Sequence, residues 1–321
     1  MDVNRRCFLQ RASQAAVISG LMSPLSALGG RSPTPIVDTH QHLWDLTRLK
    51  LTWLSPPLDR SFTLEDYVQA TQGLHVVQAV YMEVAAPRQQ RMEEAQYVIG
   101  LCRQPRGLTR AAVLAGSPTD EDFVPYVTQF KGNPCVKGFR GALAARRTGD
   151  EQVVKHLRWL GELGMRFDLN VSPPSLAEAA RLVDRCPGTR FVLDHCGNPD
   201  PVAFFPAGRA APRPPQHAPE QWKQDISRLG AKANVICKIS GLVSRVPEVR
   251  LTAEDLAPII NHCLEAFGPD RAVFAGDWPV CLRGMPLRDW ITLLKAVVAD
   301  RSEQDQRKLF HDNAVKFYDL V

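Results

Sequence analysis

Eight short apolar runs rich in β-branched and aromatic residues recur along this chain, near 35–43, 77–84, 109–115, 135–141, 166–171, 190–196, 234–241 and 271–278. Segments with helical spacing separate most of them, at 89–103, 120–130, 150–163, 175–183, 219–232, 253–267 and 287–299. In the fourth of these Ser175 or a neighbour is placed to cap, and Glu178 sits in the first turn. Strand and helix alternating eight times over about 280 residues predict an α/β fold, a single TIM-like (β/α)8 barrel, whose usual size is about 250 residues before insertions. An open doubly wound sheet is the runner-up, weakened because no Gly-rich phosphate turn follows the first strand. In a barrel every strand tip opens onto one mouth, so side chains remote in sequence meet there.

The chain has 321 residues, 45% hydrophobic and 23% charged, enough to bury one large core. Its formal charge of +5 includes Asp2, Arg5, Arg6 and Arg11. Removing that leader leaves about +3, too little for a nucleic-acid footprint. The run Asn4-Arg5-Arg6-Cys7-Phe8-Leu9-Gln10, the weakly apolar stretch from Ala15 to Leu28 and the small residues around Ala27-Leu28-Gly29 have the order of a twin-arginine export signal. We therefore read 1–30 as a signal segment and 31–321 as the barrel, exported folded to the periplasm, with a frayed basic N-terminus on a cytoplasmic protein as the alternative. No mature stretch is apolar and long enough to span a membrane. The eight cysteines are widely spaced, form no Cys-x-x-Cys pair and read as buried small hydrophobes. The segment 198–219, with prolines at 199, 201, 206, 212, 214, 215 and 219, reads as a semi-rigid lid inserted after strand six, or else as solvated linker.

The strand tips carry the chemistry. His40 and His42 alternate onto one face of an extended strand about 7 Å apart and can grip one ion, with Asp38 expected on the same face. Glu83, closing strand two, is either a further metal ligand or a rim ion-pair partner. His195 is in phase with Phe191 and Leu193 and is expected to look into the mouth, where it binds metal, polarises a carbonyl or packs; Asp194 takes the opposite phase. Asp277 shares a phase with Val273 and Ala275 and is the strongest candidate catalytic carboxylate, beside Gly276, which permits close approach. Trp44 and Trp278 are candidate walls of the substrate pocket. Lys137 and Arg140, both candidate substrate contacts, have opposite phases in strand four; the guanidinium of Arg140 suits a carboxylate or polyhydroxylated substrate, or else a rim salt bridge. Lys238 and Ser240 share a face in strand seven and read first as interior polar packing.

The motifs Asp38-Thr39-His40-Gln41-His42-Leu43-Trp44-Asp45, Lys137-Gly138-Phe139-Arg140-Gly141, Leu193-Asp194-His195-Cys196-Gly197, Lys238-Ile239-Ser240-Gly241-Leu242 and Gly276-Asp277-Trp278-Pro279-Val280 together resemble the sugar-lactonase group of the amidohydrolase superfamily. That group includes L-fuconolactonase, L-rhamnonolactonase and 2-pyrone-4,6-dicarboxylate lactonase, and the likeness runs over about 34–320. The resemblance implies a distorted barrel, a first-strand pair at His40 and His42, a sixth-strand histidine at His195 and a proton-managing carboxylate at Asp277. Strand five, Phe167-Asp168-Leu169-Asn170-Val171, offers no histidine or lysine, so the resemblance implies one divalent ion, zinc first, or a metal-free site rather than a binuclear centre.

The expected activity is a hydrolase opening a sugar-acid lactone or related cyclic ester, Asp277 serving as general base and then acid toward an activated water. A metal-dependent decarboxylase of the same superfamily is the first alternative and a non-enzymatic sugar-binding barrel the second. The partner is a small molecule, with a homo-oligomer left open.

Overall fold

The computed structural model describes residues 33–143 and 147–320; the expected signal segment at 1–30 lies outside them. The strands β1 (Ile36–Gln41), β2 (Val76–Met82), β3 (Thr109–Ala115), β4 (Val136–Arg140), β5 (Arg166–Leu169), β6 (Arg190–Leu193), β7 (Val235–Ile239) and β8 (Ala272–Phe274) form one parallel sheet in chain order. Around it lie α1 (Leu64–Thr71), α2 (Arg91–Cys102), α3 (Phe123–Thr128), α4 (Glu151–Glu162), α5 (Leu176–Arg185), α6 (Pro219–Gly230), α7 (Ala253–Phe267) and α8 (Leu287–Val297), followed by α9 (Glu303–Arg307) and α10 (Asn313–Tyr318). This is a nearly closed, distorted (β/α)8 barrel. β8 has only three residues, so the seam with β1 is stitched largely by side chains and tips. Thr39 Oγ1 donates to Phe274 O at 2.7 Å, Gly276 N donates to Asp38 Oδ1 at 2.7 Å, and His42 N donates to Trp278 O at 2.8 Å.

The expected strands all form, but the sixth and eighth end earlier than their apolar runs, at Leu193 and Phe274. α1 was not expected; its signal is the capping box of Thr63 and Asp66, which hydrogen-bond reciprocally across the first turn. Ser175 makes no side-chain cap, because the chain enters α5 through a 3-10 turn over Pro173–Ser175. Alternate strand residues pack in two directions. Phe139, Phe167, Phe191 and Phe274 lie outward under the helices, each burial contributing about 1.5–3 kcal/mol. Val37, Val80, Met82, Ala111, Val113, Val192, Ile236 and Val273 fill the lower interior, and Ala314 and Tyr318 of α10 pack beneath them as a floor.

Lys137 is part of that floor and not of the mouth. Its Nζ donates to Asp319 O at 3.2 Å, beside Arg166, whose Nη2 lies 2.5 Å from the Asp319 carboxylate. Near the start of β4, a long side chain reaches the tail beneath the barrel rather than the tips.

The proline-rich segment is similarly placed. Asp200 is its anchor, accepting from Arg213 at 2.6 and 3.0 Å and from the Gln216 backbone at 2.9 Å, while Phe204 packs edge-on to Trp222 of α6. Of this segment only Asn198 lines the mouth cavity, so the rest is a pinned buttress on the helical layer, not a cover. The seven described cysteines are buried and unpaired.

Above the apolar floor sits a fully buried charge cluster. Lys238 Nζ lies 2.5 Å from Asp168 Oδ2 and 3.1 Å from Asp194 Oδ1. Burial pushes the Asp168 carboxyl up to about 7. Burial alone would raise Asp194 too, but Lys238 and His40 reverse this and hold it well below the carboxylate range. Removing one partner of such a cluster leaves uncompensated buried charge. Lys238→Met is expected to lower the unfolding free energy by about 3–5 kcal/mol in denaturant titrations, with part recovered in Lys238→Met/Asp168→Asn. Equal stability of the single variant and the parent would contradict the role of this cluster.

Candidate active site

A bulge in β1 builds the histidine pair. From Asp38, paired with Ala79, to Gln41, paired with Tyr81, β1 takes one more step than β2. The extra residue switches the alternation, so Val37 faces the interior below while His40 and His42 face it above. Asp38 therefore does not share the histidine face. Its carboxylate turns outward, accepting from Tyr67 Oη at 2.9 Å and from the backbone of Gly276 and His40. Gly276 is required there, since a Cβ would lie 2.4 Å from Asp38 Oδ2.

At the sixth tip the strand phase is overridden. Asp194 continues the interior phase of Val192 and enters the charge cluster, which is the reverse of the expectation. His195 nevertheless reaches the mouth because the chain leaves β6 through left-handed backbone, with φ of 54° at His195, 56° at Cys196 and 54° at Asn198. Asp277 is also left-handed, at φ 53°. Non-glycine residues held there cost about 1–3 kcal/mol each, strain that recurs where a side chain must be aimed.

The convergence is tight. His40 Nε2 and His42 Nε2 lie 3.1 Å apart, and Asp277 Oδ1 is 3.7 Å from the first and 3.6 Å from the second. Two ligands about 2.0–2.1 Å from a tetrahedral ion would stand about 3.3 Å apart, so these three atoms suit a divalent metal. The protonation pattern fits as well. His42 Nδ1 lies 3.0 Å from Met82 O and donates to it, leaving Nε2 as the lone-pair nitrogen. His40 Nδ1 lies 3.6 Å from Asp194 Oδ1, the buried oxygen that also faces Lys238 Nζ, and 3.4 Å from that ammonium itself. A ligating histidine commonly offers its second N–H to such a carboxylate. Burial, reinforced by Lys238, holds the His40 imidazole well below its usual range; burial also lowers His195, so both are neutral near pH 7.

Glu83 is at the mouth but not among these donors. Its Oε1 takes Arg140 Nε at 2.5 Å and its Oε2 takes Ala85 N at 2.6 Å, which realises the ion-pair alternative. Arg140 reaches the mouth, donating also to Glu83 O at 2.9 Å and lying 3.3 Å from both Asp194 Oδ2 and His40 Nε2. Neither expected tryptophan wall lines the cavity. Trp44 is fully buried, donating to Arg60 O and packed edge-on to Trp53 and Phe62. Trp278 packs against Phe62 and Tyr67. The tryptophan that does face the cavity is Trp53, held by its bond to Val84 O at 2.8 Å.

Together His42, Glu83, Arg140, His195 and Asp277 line a cavity of about 380 Å³ at the C-terminal ends of the strands, the size for a single substituted ring. Arg245, Arg283, Asn170 and Asn198 also line it and were missed. Arg245 lies in the turn after Gly241, where its position behind a strand tip was the available signal. His195 is fixed by Ser240 Oγ, 2.8 Å from Nδ1. Gly241 closes behind the ring at φ 69°, where a Cβ would stand 2.5 Å from His195 Cγ and Nδ1. Gly241→Ala is therefore expected to break the His195–Ser240 bond, visible in the imidazole nitrogen resonances, and to lower stability by about 1–3 kcal/mol. Unchanged resonances would show that the packing has room.

Comparison with known proteins shows the family and the fold. The family model described as Amidohydrolase matches residues 37–320. The chain is similar to an L-fucono-1,5-lactonase of Burkholderia multivorans, 26% identical over 297 residues covering 88% of this chain and 96% of that protein. It is also similar to an L-rhamnono-gamma-lactonase of Scheffersomyces stipitis, 24% identical and covering 89% and 98% of the two chains. Its fold resembles the crystal structure of an amidohydrolase from Burkholderia multivorans with bound zinc, with a TM-score of 0.77 at 24% identity over 89% of this chain and 100% of that one.

Proposed function

The chain belongs to the amidohydrolase family, and from that premise we propose that it is a hydrolase opening a sugar-acid lactone or a related cyclic ester. The observation that carries the reading is the meeting of His40, His42 and Asp277 beside His195, the last three of these lining one ring-sized cavity, together with relatives named as lactonases. His40, His42 and Asp277 would hold one divalent ion, zinc by the nitrogen and carboxylate character of the donors. When bound, such an ion lowers the pKa of a coordinated water to about 7 and polarises a carbonyl.

The protein groups then divide the work. Asp277 accepts the proton of the attacking water as its oxygen bonds to the lactone carbonyl carbon. With Ser240 Oγ, 2.8 Å away, donating to His195 Nδ1, the neutral ring would carry its proton on Nε2 and offer it as a hydrogen bond to the developing oxyanion. A neutral imidazole serves as donor here without surrendering a proton. Arg140, spanning Glu83, Asp194 and the His40 ring, keeps the first-strand and fourth-strand tips in register. As the ring C–O bond breaks, Asp277 returns the proton to the leaving alkoxide, and the product is a hydroxy acid. The twin-arginine motif around Arg5-Arg6 supports a periplasmic setting for this activity, and the lactonase reading supports a role in the breakdown of carbohydrate acids.

Acid release from a panel of lactones, followed with a pH indicator, tests the reading. The mature protein is expected to turn over at least one ring, and Asp277→Asn to reduce kcat by about 100–10,000-fold while ligand binding persists. Metal analysis is expected to find one equivalent of a divalent ion, with chelation abolishing turnover and zinc restoring it; full turnover after chelation would remove the ion from the proposal. Release of carbon dioxide from an aromatic acid, with every lactone left intact, would overturn the hydrolase reading.

A further inference from the structure

Three of the seven described cysteines meet at one point behind the sixth and seventh strand tips. Cys196 comes from the turn after β6, Cys237 from β7 and Cys263 from α7, and their Sγ atoms all lie within 4.8 Å of one another. All three side chains are buried. The alternation that sends Lys238 into the barrel interior turns Cys237 outward, under the helical layer, where it meets Cys263.

The group sits against the wall of the active site. Cys196 directly follows His195, and both hold left-handed backbone, at φ 56° and 54°. Cys196 Sγ lies 3.7 Å from Lys238 O, Cys237 Sγ lies 3.8 Å from the same oxygen, and Trp222 Nε1 donates to Cys196 O at 3.1 Å. Packing alone accounts poorly for this arrangement. A residue with a Cβ costs about 1–3 kcal/mol at such a φ, and a glycine, which fills the next position, would avoid that cost. Larger aliphatic side chains would bury more apolar area in the same place. What three sulfurs add is a set of soft donors.

The spacing suits one ion. Three sulfurs about 2.3 Å from a central metal in one plane stand about 4.0 Å apart, inside the observed limit. Among the described residues no fourth histidine, cysteine, aspartate or glutamate joins the group, whereas structural zinc takes four ligands. A buried, all-sulfur, three-coordinate set selects a soft monovalent ion, copper(I). We propose that Cys196, Cys237 and Cys263 form a copper(I) site, separate from the group of His40, His42 and Asp277, and that the ion holds the turn after β6 against β7 and α7. As each sulfur coordinates, its thiol proton leaves to solvent; copper stays monovalent and no electron is transferred. The site is independent of the lactonase reading, and its effect on the active site passes through the backbone that aims His195.

The test uses the full-length chain with zinc supplied beforehand to the histidine pair. Copper(I) is delivered anaerobically as its bicinchoninate complex, so that weak sites stay empty. Because the sulfurs are buried, it is supplied both to the folded protein and during refolding from denaturant. One equivalent is expected to be retained against the chelator, and the melting temperature is expected to rise as copper is added. X-ray absorption is expected to show three sulfur neighbours at about 2.3 Å. Cys196→Ala, Cys237→Ala and Cys263→Ala are each expected to weaken retention at least about 100-fold, while Cys102→Ala and Cys186→Ala leave it unchanged. If a cluster variant does not fold, the X-ray absorption spectrum of the parent decides alone. Loss of all copper from the parent to the chelator, nitrogen or oxygen neighbours in place of sulfur, or full retention in the three cluster variants would each overturn the site.

Discussion

One ammonium group at the centre of the barrel underlies the rest of the site. Lys238 is fully buried among Asp168, Asp194 and the His40 ring, above a floor of aliphatic side chains. Without it, two carboxylates would face each other in a medium that stabilises neither charge. With it, Asp194 remains ionised between the lysine and Arg140, and His40 remains neutral with its Nε2 turned toward His42. The polar interior is thus ordered from below upward: an apolar base, a compensated ionic layer, then imidazoles whose orientation is set by that layer. Asp168 also occupies the fifth-strand position, and its pairing with Lys238 commits that strand to the ionic layer rather than to an additional ligand.

Strain concentrates one step above. His195, Cys196, Asn198 and Asp277 all hold left-handed backbone, and each lies just past the end of a short strand. The barrel walls below them are buried, and their packing overdetermines the tips. β8 contributes only three strand residues, so the conformation at Asp277 depends on the seam with β1, where Asp38 fastens the Gly276 amide. The histidine pair and the carboxylate opposite it are therefore products of the same seam.

The architecture was legible in the sequence because strand and helix periodicity report burial, and burial is what a barrel imposes on eight consecutive units. The convergence of 40, 42, 195 and 277 was legible for the same reason. Individual directions were not. The alternation rule fails wherever the chain adds a residue or reverses φ, and β1 does the first at the residues that matter while β6 does the second. Hence Asp38 and Asp194 were assigned to the wrong sides, though the histidines beside them were not. Composition also misled for Trp44 and Trp278: an aromatic next to a polar motif carries no sign of whether it faces ligand or core, and both lie in an aromatic cluster with Phe62. Lys137 was assigned to the substrate pocket for lack of one fact, that the tail after α10 returns beneath β4, β5 and β6.

That returning tail has a bearing on how the molecule is made. The hydrophobic interior is sealed at the bottom by Ala314 and Tyr318, which follow all eight strands in the chain. All eight strands can be outside the exit tunnel while Val37, Val192 and Val273 still face water through an unplugged base. Productive closure is thereby deferred until α10 has emerged, and a nascent chain stalled before α10 would present a greasy well to chaperones.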